Sequence, residues 1–269
     1  MATHLSAIRG KEALLQKVVF EVRYHFGYAY LDNCGRCLNM ITRDHPEWFI
    51  RGNVSPSSAP LLSSKNSACL NFSAAKYDLS IERVAGEGPV SDNDIGAFVD
   101  QADYIHDIMS TCLGLAEFAR VGFRAWYLFG CDTEADAEDW LKGLACYNIS
   151  DRLVAAFGRS LESSGVSVVV AGADRKYRIA FHGVQRTAQI DFAEGVLSLQ
   201  PRYMHSGQRE ALLERERAKR RMRQNPGFAA MIDIDAYQEN AEVIEPGRFV
   251  QSSREQFLPM LQKACEREG

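Results

Sequence analysis

Val121-Gly122-Phe123-Arg124-Ala125-Trp126-Tyr127-Leu128-Phe129 is apolar at both parities except at Arg124, and Gly130 closes the run. A strand with one buried face alternates apolar and polar residues, whereas one covered on both sides does not. The stretch therefore predicts a strand in the middle of a covered sheet. Just upstream, Ser91 and Asp94 have capping-box spacing, and Ile95, Phe98, Val99, Ala102, Ile105, Met109, Cys112, Leu113 and Ala116 follow at helical intervals. This is the clearest helix in the sequence. Just downstream, Thr133 caps a second helix with the stripe Ala137, Trp140, Leu141, Leu144 and Ala145.

Further out, Val18, Phe20, Val22, Tyr24 and Phe26 fall on one face at period two, predicting a half-buried strand. A helix is expected over Asn33–Asp44. Residues 52–67 are rich in Ser, Pro and Ala and read as a surface loop. Strands follow at Ala68–Phe72 and Tyr77–Arg83, and Gly86-Glu87-Gly88-Pro89 breaks the chain. After 160–165 a similar order returns. Strands at Val166–Ala171, Tyr177–His182 and Thr187–Gln200 precede a helix from Gln208 to Gln224, a strand at Ala229–Tyr237 and a closing helix over Arg254–Glu266 that contains Pro259. The expectation is an α+β fold built as an internal duplication. Two related strand-rich units, 1–150 and 151–269 with a seam near 150–165, pack as one body, with an antiparallel or mixed sheet and helices on one face.

With 46% hydrophobic and 25% charged residues in 269, the chain has the balance of a folding globular protein. A net charge of −4 gives no global basic field. No apolar run is long enough to span a bilayer, and the first residues lack a signal-peptide core, so no membrane partner and a cytoplasmic location are expected. Seven cysteines, an odd and scattered set, are expected as reduced thiols.

Four groups of residues invite chemistry. Cys34-Gly35-Arg36-Cys37 has the spacing of a redox dithiol or half a zinc site, but a single pair is more often two incidental thiols on a helix, and no second pair completes a zinc set. Asp233 and Asp235 project to one side of a strand, roughly 7 Å apart, and with Asp191 could hold magnesium or manganese for phosphoryl transfer. No glycine-rich phosphate loop accompanies them, and a solvent-facing acidic pair is common. The stretch 209–223 holds seven basic and three acidic residues, so Arg215, Arg217, Lys219, Arg220, Arg221 and Arg223 are candidates for nucleic-acid or phosphate binding. The plainer reading is a solvated helix stabilised by pairs such as Glu216–Arg220. Arg120 and Arg124 flank Gly122, and an arginine in a covered strand requires an acidic or carbonyl partner, so they read as ion-pair residues first and anion ligands second. His106, on the apolar stripe of the best helix, reads as a satisfied core histidine. The sequence leaves any cofactor open.

The early strand from Val18 to Tyr24, Arg120-Val121-Gly122-Phe123-Arg124 after a long helix, and Asp233-Ile234-Asp235-Ala236-Tyr237 before a C-terminal helix together resemble a sporadically distributed, uncharacterised bacterial protein family of about this length. Gln16-Lys17 stand where members carry proline. The resemblance implies a bacterial cytosolic protein of an accessory system and assigns no catalytic residue. The function expected is that of a non-enzymatic binding or assembly component, partnered by itself as a homo-oligomer and by another protein. The alternatives are a nucleic-acid or phosphate binder through 209–223 and a metal-dependent phosphoryl-transfer enzyme using Asp233 and Asp235.

Overall fold

The computed structural model describes residues 7–51, 53–83, 88–150, 152, 155–156, 165–185 and 227–266. A two-residue hairpin, β1 (Ala7–Ile8) and β2 (Lys11–Glu12), turns through Arg9 and Gly10, both at positive φ as a tight hairpin turn requires. The chain then runs through β3 (Leu14–Tyr24), α1 (Tyr30–Asp44), β4 (Trp48–Ile50), β5 (Ala59–Ser63), β6 (Ala68–Phe72), β7 (Lys76–Glu82) and α2 (Asp92–Leu113). It continues with β8 (Phe118–Cys131), α3 (Glu134–Lys142), β9 (Gly165–Ala171), β10 (Lys176–Gln185), β11 (Phe228–Ala241) and α4 (Pro246–Cys265).

Strands β3 to β11 form one antiparallel sheet in the order β4-β5-β6-β7-β3-β8-β11-β10-β9. The fold is α+β, and the helices lie on one sheet face, as ring contacts fix directly. Tyr30 of α1 meets Phe72, His106 of α2 meets Tyr77, Trp140 of α3 stacks on Phe129, and Phe98 of α2 and Phe257 of α4 both contact Phe123. Residues of one parity along each strand point to that side (Val18, Phe20 and Val22 on β3; Val121, Phe123, Ala125, Tyr127 and Phe129 on β8; Ile232, Ile234 and Ala236 on β11), and they make the core. The expected Ser91 capping box forms, and the expected Thr133 cap is also a capping box. The Ser91 and Thr133 side chains accept from the Asp94 and Asp136 backbone N–H groups, and those carboxylates accept in return from the Ser91 and Thr133 N–H groups.

Two courses of chain match across the central β3–β8 pair. Among the described elements each is a strand, a helix, a three-stranded meander whose last strand lies beside the first, and a closing helix: β3-α1-β5-β6-β7-α2, with β4 added outside β5, then β8-α3-β9-β10-β11-α4. Phe20 and Phe123 are directly opposed across this pair. The courses meet at 114–117. One sheet runs through both.

The structure corrects several expectations. The stretch 52–67 is not all loop. Ala59, Leu61, Leu62 and Ser63 of β5 are buried between β4 and β6, because a short apolar run can hold a strand amid Ser and Pro when its neighbours supply the ladder. Phe26 leaves the β3 face. It adopts φ 58° and is exposed, ending the strand two residues early. The last helix starts at Pro246, a proline in its first turn, and Pro259 lies inside it. The expected strand Thr187–Gln200 and helix Gln208–Gln224 lie outside the described residues.

Candidate functional site

The sheet face turned away from the helices carries the charged residues. Period two sends Glu21, Lys76, Asp78, Arg120, Arg124, Arg178, Asp233 and Asp235 to that face from five adjacent strands, and the sheet register brings them level. Asp233 is 2% exposed. It accepts from Arg124 Nε at 2.7 Å and Nη2 at 2.5 Å, a two-pronged pairing, and from Arg178 Nη2 at 2.9 Å. Asp235 accepts from Arg120 Nη2 at 2.6 Å. Through Nη1, Arg120 reaches Glu21 at 2.8 Å, and Glu21 also receives Arg23 and Lys76, the latter shared with Asp78. Charges alternate in sign from Arg178 of β10 through the β11 carboxylates and the β8 arginines to Glu21 of β3, and Lys76 of β7 bridges Glu21 and Asp78.

Gly122 opens the space for this ladder. A Cβ there would lie 2.8 Å from Arg120 Nη1, so the missing side chain is what lets the guanidinium reach across between Glu21 and Asp235, where it also lies against the Tyr237 ring. Trp126 continues the same face, flanked by Lys17 and Arg124 and packed on a small apolar cluster of Leu128, Ala229 and Met231.

Burial and pairing set the titration. Burial pushes the Asp235 carboxyl above its usual range despite its three arginine neighbours, and it does the same to Asp78 against Lys76. For Glu21 burial pulls upward, but the hydrogen bonds from Lys76 and Arg23 outweigh it and hold the carboxyl low. Arg124 is raised because its bond to Asp233 outweighs desolvation.

The structure thus brings four of the singled-out residues, Arg120, Arg124, Asp233 and Asp235, into one network, as ion pairs. Both Asp233 oxygens and the Asp235 Oδ2 accept from guanidinium groups, and among the described residues no three His, Cys, Asp or Glu side chains converge as a metal set. Asp191 and the basic residues Arg215, Arg217, Lys219, Arg220, Arg221 and Arg223 lie outside the described residues. Cys34 and Cys37 sit within α1, not at its start, and both are buried. Burial, with Cys112 beside it, pushes the Cys37 thiol up to about 12, the environment of a core thiol and not of an attacking thiolate. His106 is a core histidine bonded through Nδ1 to the Tyr77 hydroxyl at 2.7 Å. No helix of the described residues is long and apolar enough to cross a membrane.

Two features had weaker sequence signals. Glu21 and Arg178 each stand among other polar and charged residues of an alternating strand. Cys146 and Cys265, whose sulfurs lie 3.6 Å apart, are separated by 119 residues. No protein-family model matches the chain, and no curated protein is significantly similar to it.

Proposed function

We propose that the protein is a non-enzymatic, cytosolic binding or assembly component that associates with a second copy of itself through β9. The observation that carries this reading is the exposure of that strand. It reads Gly165-Val166-Ser167-Val168-Val169-Val170-Ala171 and forms one edge of the nine-stranded sheet, with Val168, Val169 and Val170 exposed by 43%, 59% and 51%. An edge strand presents unpaired N–H and C=O groups, and proteins usually block it with lysine, proline, a carboxylate or a bulge. β9 has none of these.

The sequence of β9 suits self-pairing. Antiparallel pairing about Val168 sets Val166 against the partner's Val170 and Val168 against the partner's Val168 on one face, with Ser167 opposite the partner's Val169 on the other. Every position is then β-branched or small, and no charge is buried. The charged ladder on β10 through β7 is paired internally, which supports a structural role for it, and among the described residues β9 is the long sheet edge without a neighbouring strand.

The test is size-exclusion chromatography with light scattering over the micromolar range. The wild type should run at twice the 30.1 kDa chain mass. Val168→Lys places two like charges opposite each other at the twofold axis and should run as a monomer with an unchanged circular-dichroism spectrum. A wild type that stays monomeric, or a dimer that Val168→Lys leaves intact, would overturn the proposal.

A further inference from the structure

We propose that Cys146 and Cys265 form a peroxide-responsive dithiol that closes to a disulfide on oxidation. This inference does not rest on the assembly reading. Cys146 lies in the turn region after α3 and is exposed, whereas Cys265 is the last residue of α4 and is buried. Their sulfurs are 3.6 Å apart, and the Ala145 N–H donates to the Cys265 carbonyl at 3.0 Å, so the backbones are already docked beside each other. Closing the remaining gap between the sulfurs to a disulfide calls for rotation of the two side chains.

The environments divide the labour. The hydrogen bond from the Cys265 thiol lowers the Cys146 pKa and favours its thiolate, while that same bond and burial raise Cys265. Cys146 is therefore the attacking sulfur and Cys265 the resolving one. The Cys146 thiolate attacks one oxygen of hydrogen peroxide, the O–O bond breaks, and sulfenic acid and hydroxide form. The Cys265 sulfur then attacks the sulfenic sulfur, the S–O bond breaks, and water leaves with the thiol proton. In sum, two thiols and one peroxide give one disulfide and two waters. The product ties the end of α4 to the turn after α3, and the segment between holds β9, β10, β11 and α4. Oxidation should therefore raise the melting temperature.

The experiment treats the full-length protein, freed of reductant, with stoichiometric hydrogen peroxide and maps its tryptic peptides under non-reducing conditions. Peptide 143–152 should be joined to peptide 264–267, two hydrogens lighter than their sum, and reductant should reverse the link. In Cys265→Ser the cross-link is lost and Cys146 should instead be captured by a sulfenic-acid-specific diketone. Recovery of Cys146 as a free thiol while other cysteines oxidise, or its conversion to sulfinic acid with no cross-link, would overturn the proposal. The wild-type map decides this even if the variant fails to fold.

Discussion

Asp233→Asn isolates the charge network from everything else in the fold. The substitution keeps the shape of a side chain that is 2% exposed but removes the negative charge that two guanidinium groups share. Three charge-assisted hydrogen bonds are lost or weakened, and the new amide N–H groups face donors on at least one side. Breaking a fully buried pair by deleting one partner costs about 3–5 kcal/mol. Here the Arg124 and Arg178 side chains are 36% and 34% exposed, so water recovers part of their solvation. The expected loss falls to about 2–3 kcal/mol. Urea denaturation followed by circular dichroism should show a lower midpoint at unchanged slope. Millimolar magnesium or manganese should leave the wild-type melting temperature unmoved. A variant within about 0.5 kcal/mol of wild type would refute the assignment of these arginines as structural partners. A metal-induced rise in melting temperature that Asp233→Asn abolishes would instead return the carboxylates to metal binding.

Two further outcomes follow from the core. Phe123 is fully buried, opposed to Phe20 and in contact with Phe98 and Phe257, so Phe123→Ala should cost about 3–5 kcal/mol in the same urea assay. Burial lowers the His106 pKa, so the folded state holds the ring neutral while the unfolded chain takes up a proton below about 6.5. Stability should therefore fall as pH drops from 6.5 toward the depressed value, and His106→Gln should flatten that part of the urea-midpoint profile.

The strands and capped helices were legible because their signals are local. The period-two run from Val18 placed β3, the apolar run at both parities placed β8, and Ser91-x-x-Asp94 and Thr133 marked the starts of α2 and α3. β5 escaped because Ala59, Pro60 and Leu61 lie in a stretch whose composition reads as loop, and only pairing to β4 and β6 makes it a strand. The site was half legible. Period two alone puts Asp233 and Asp235 on one side, and the cost of burying Arg124 demands an acidic partner. That the partner is Asp233, 109 residues away, depends on the β8–β11 register, which no local pattern encodes. Arg178 and Glu21 looked like the polar half of ordinary strands, and nothing in the spacing of Cys146 and Cys265 joins them.

The two matching courses make the edges of the sheet comparable, and their difference supports the assembly reading. In the first course the outermost meander strand, β5, is covered by β4, only three residues long and followed by Arg51, whose backbone N–H is bonded to the Pro60 carbonyl. In the second course the corresponding strand, β9, has seven residues and no described strand beyond it. Among the described residues one edge is therefore short and blunted while the other is long, valine-rich and uncovered. Pairing of β9 with itself is isologous and closes at a dimer, whereas pairing of β9 with the β4 edge of another copy would be head-to-tail and would extend without limit. The closed arrangement predicts that Ile50→Lys, at the exposed end of β4, leaves the wild-type mass unchanged. Light scattering that finds dissociation in Ile50→Lys, or species larger than a dimer in the wild type, would show that the β4 edge takes part and would defeat the twofold β9 pairing.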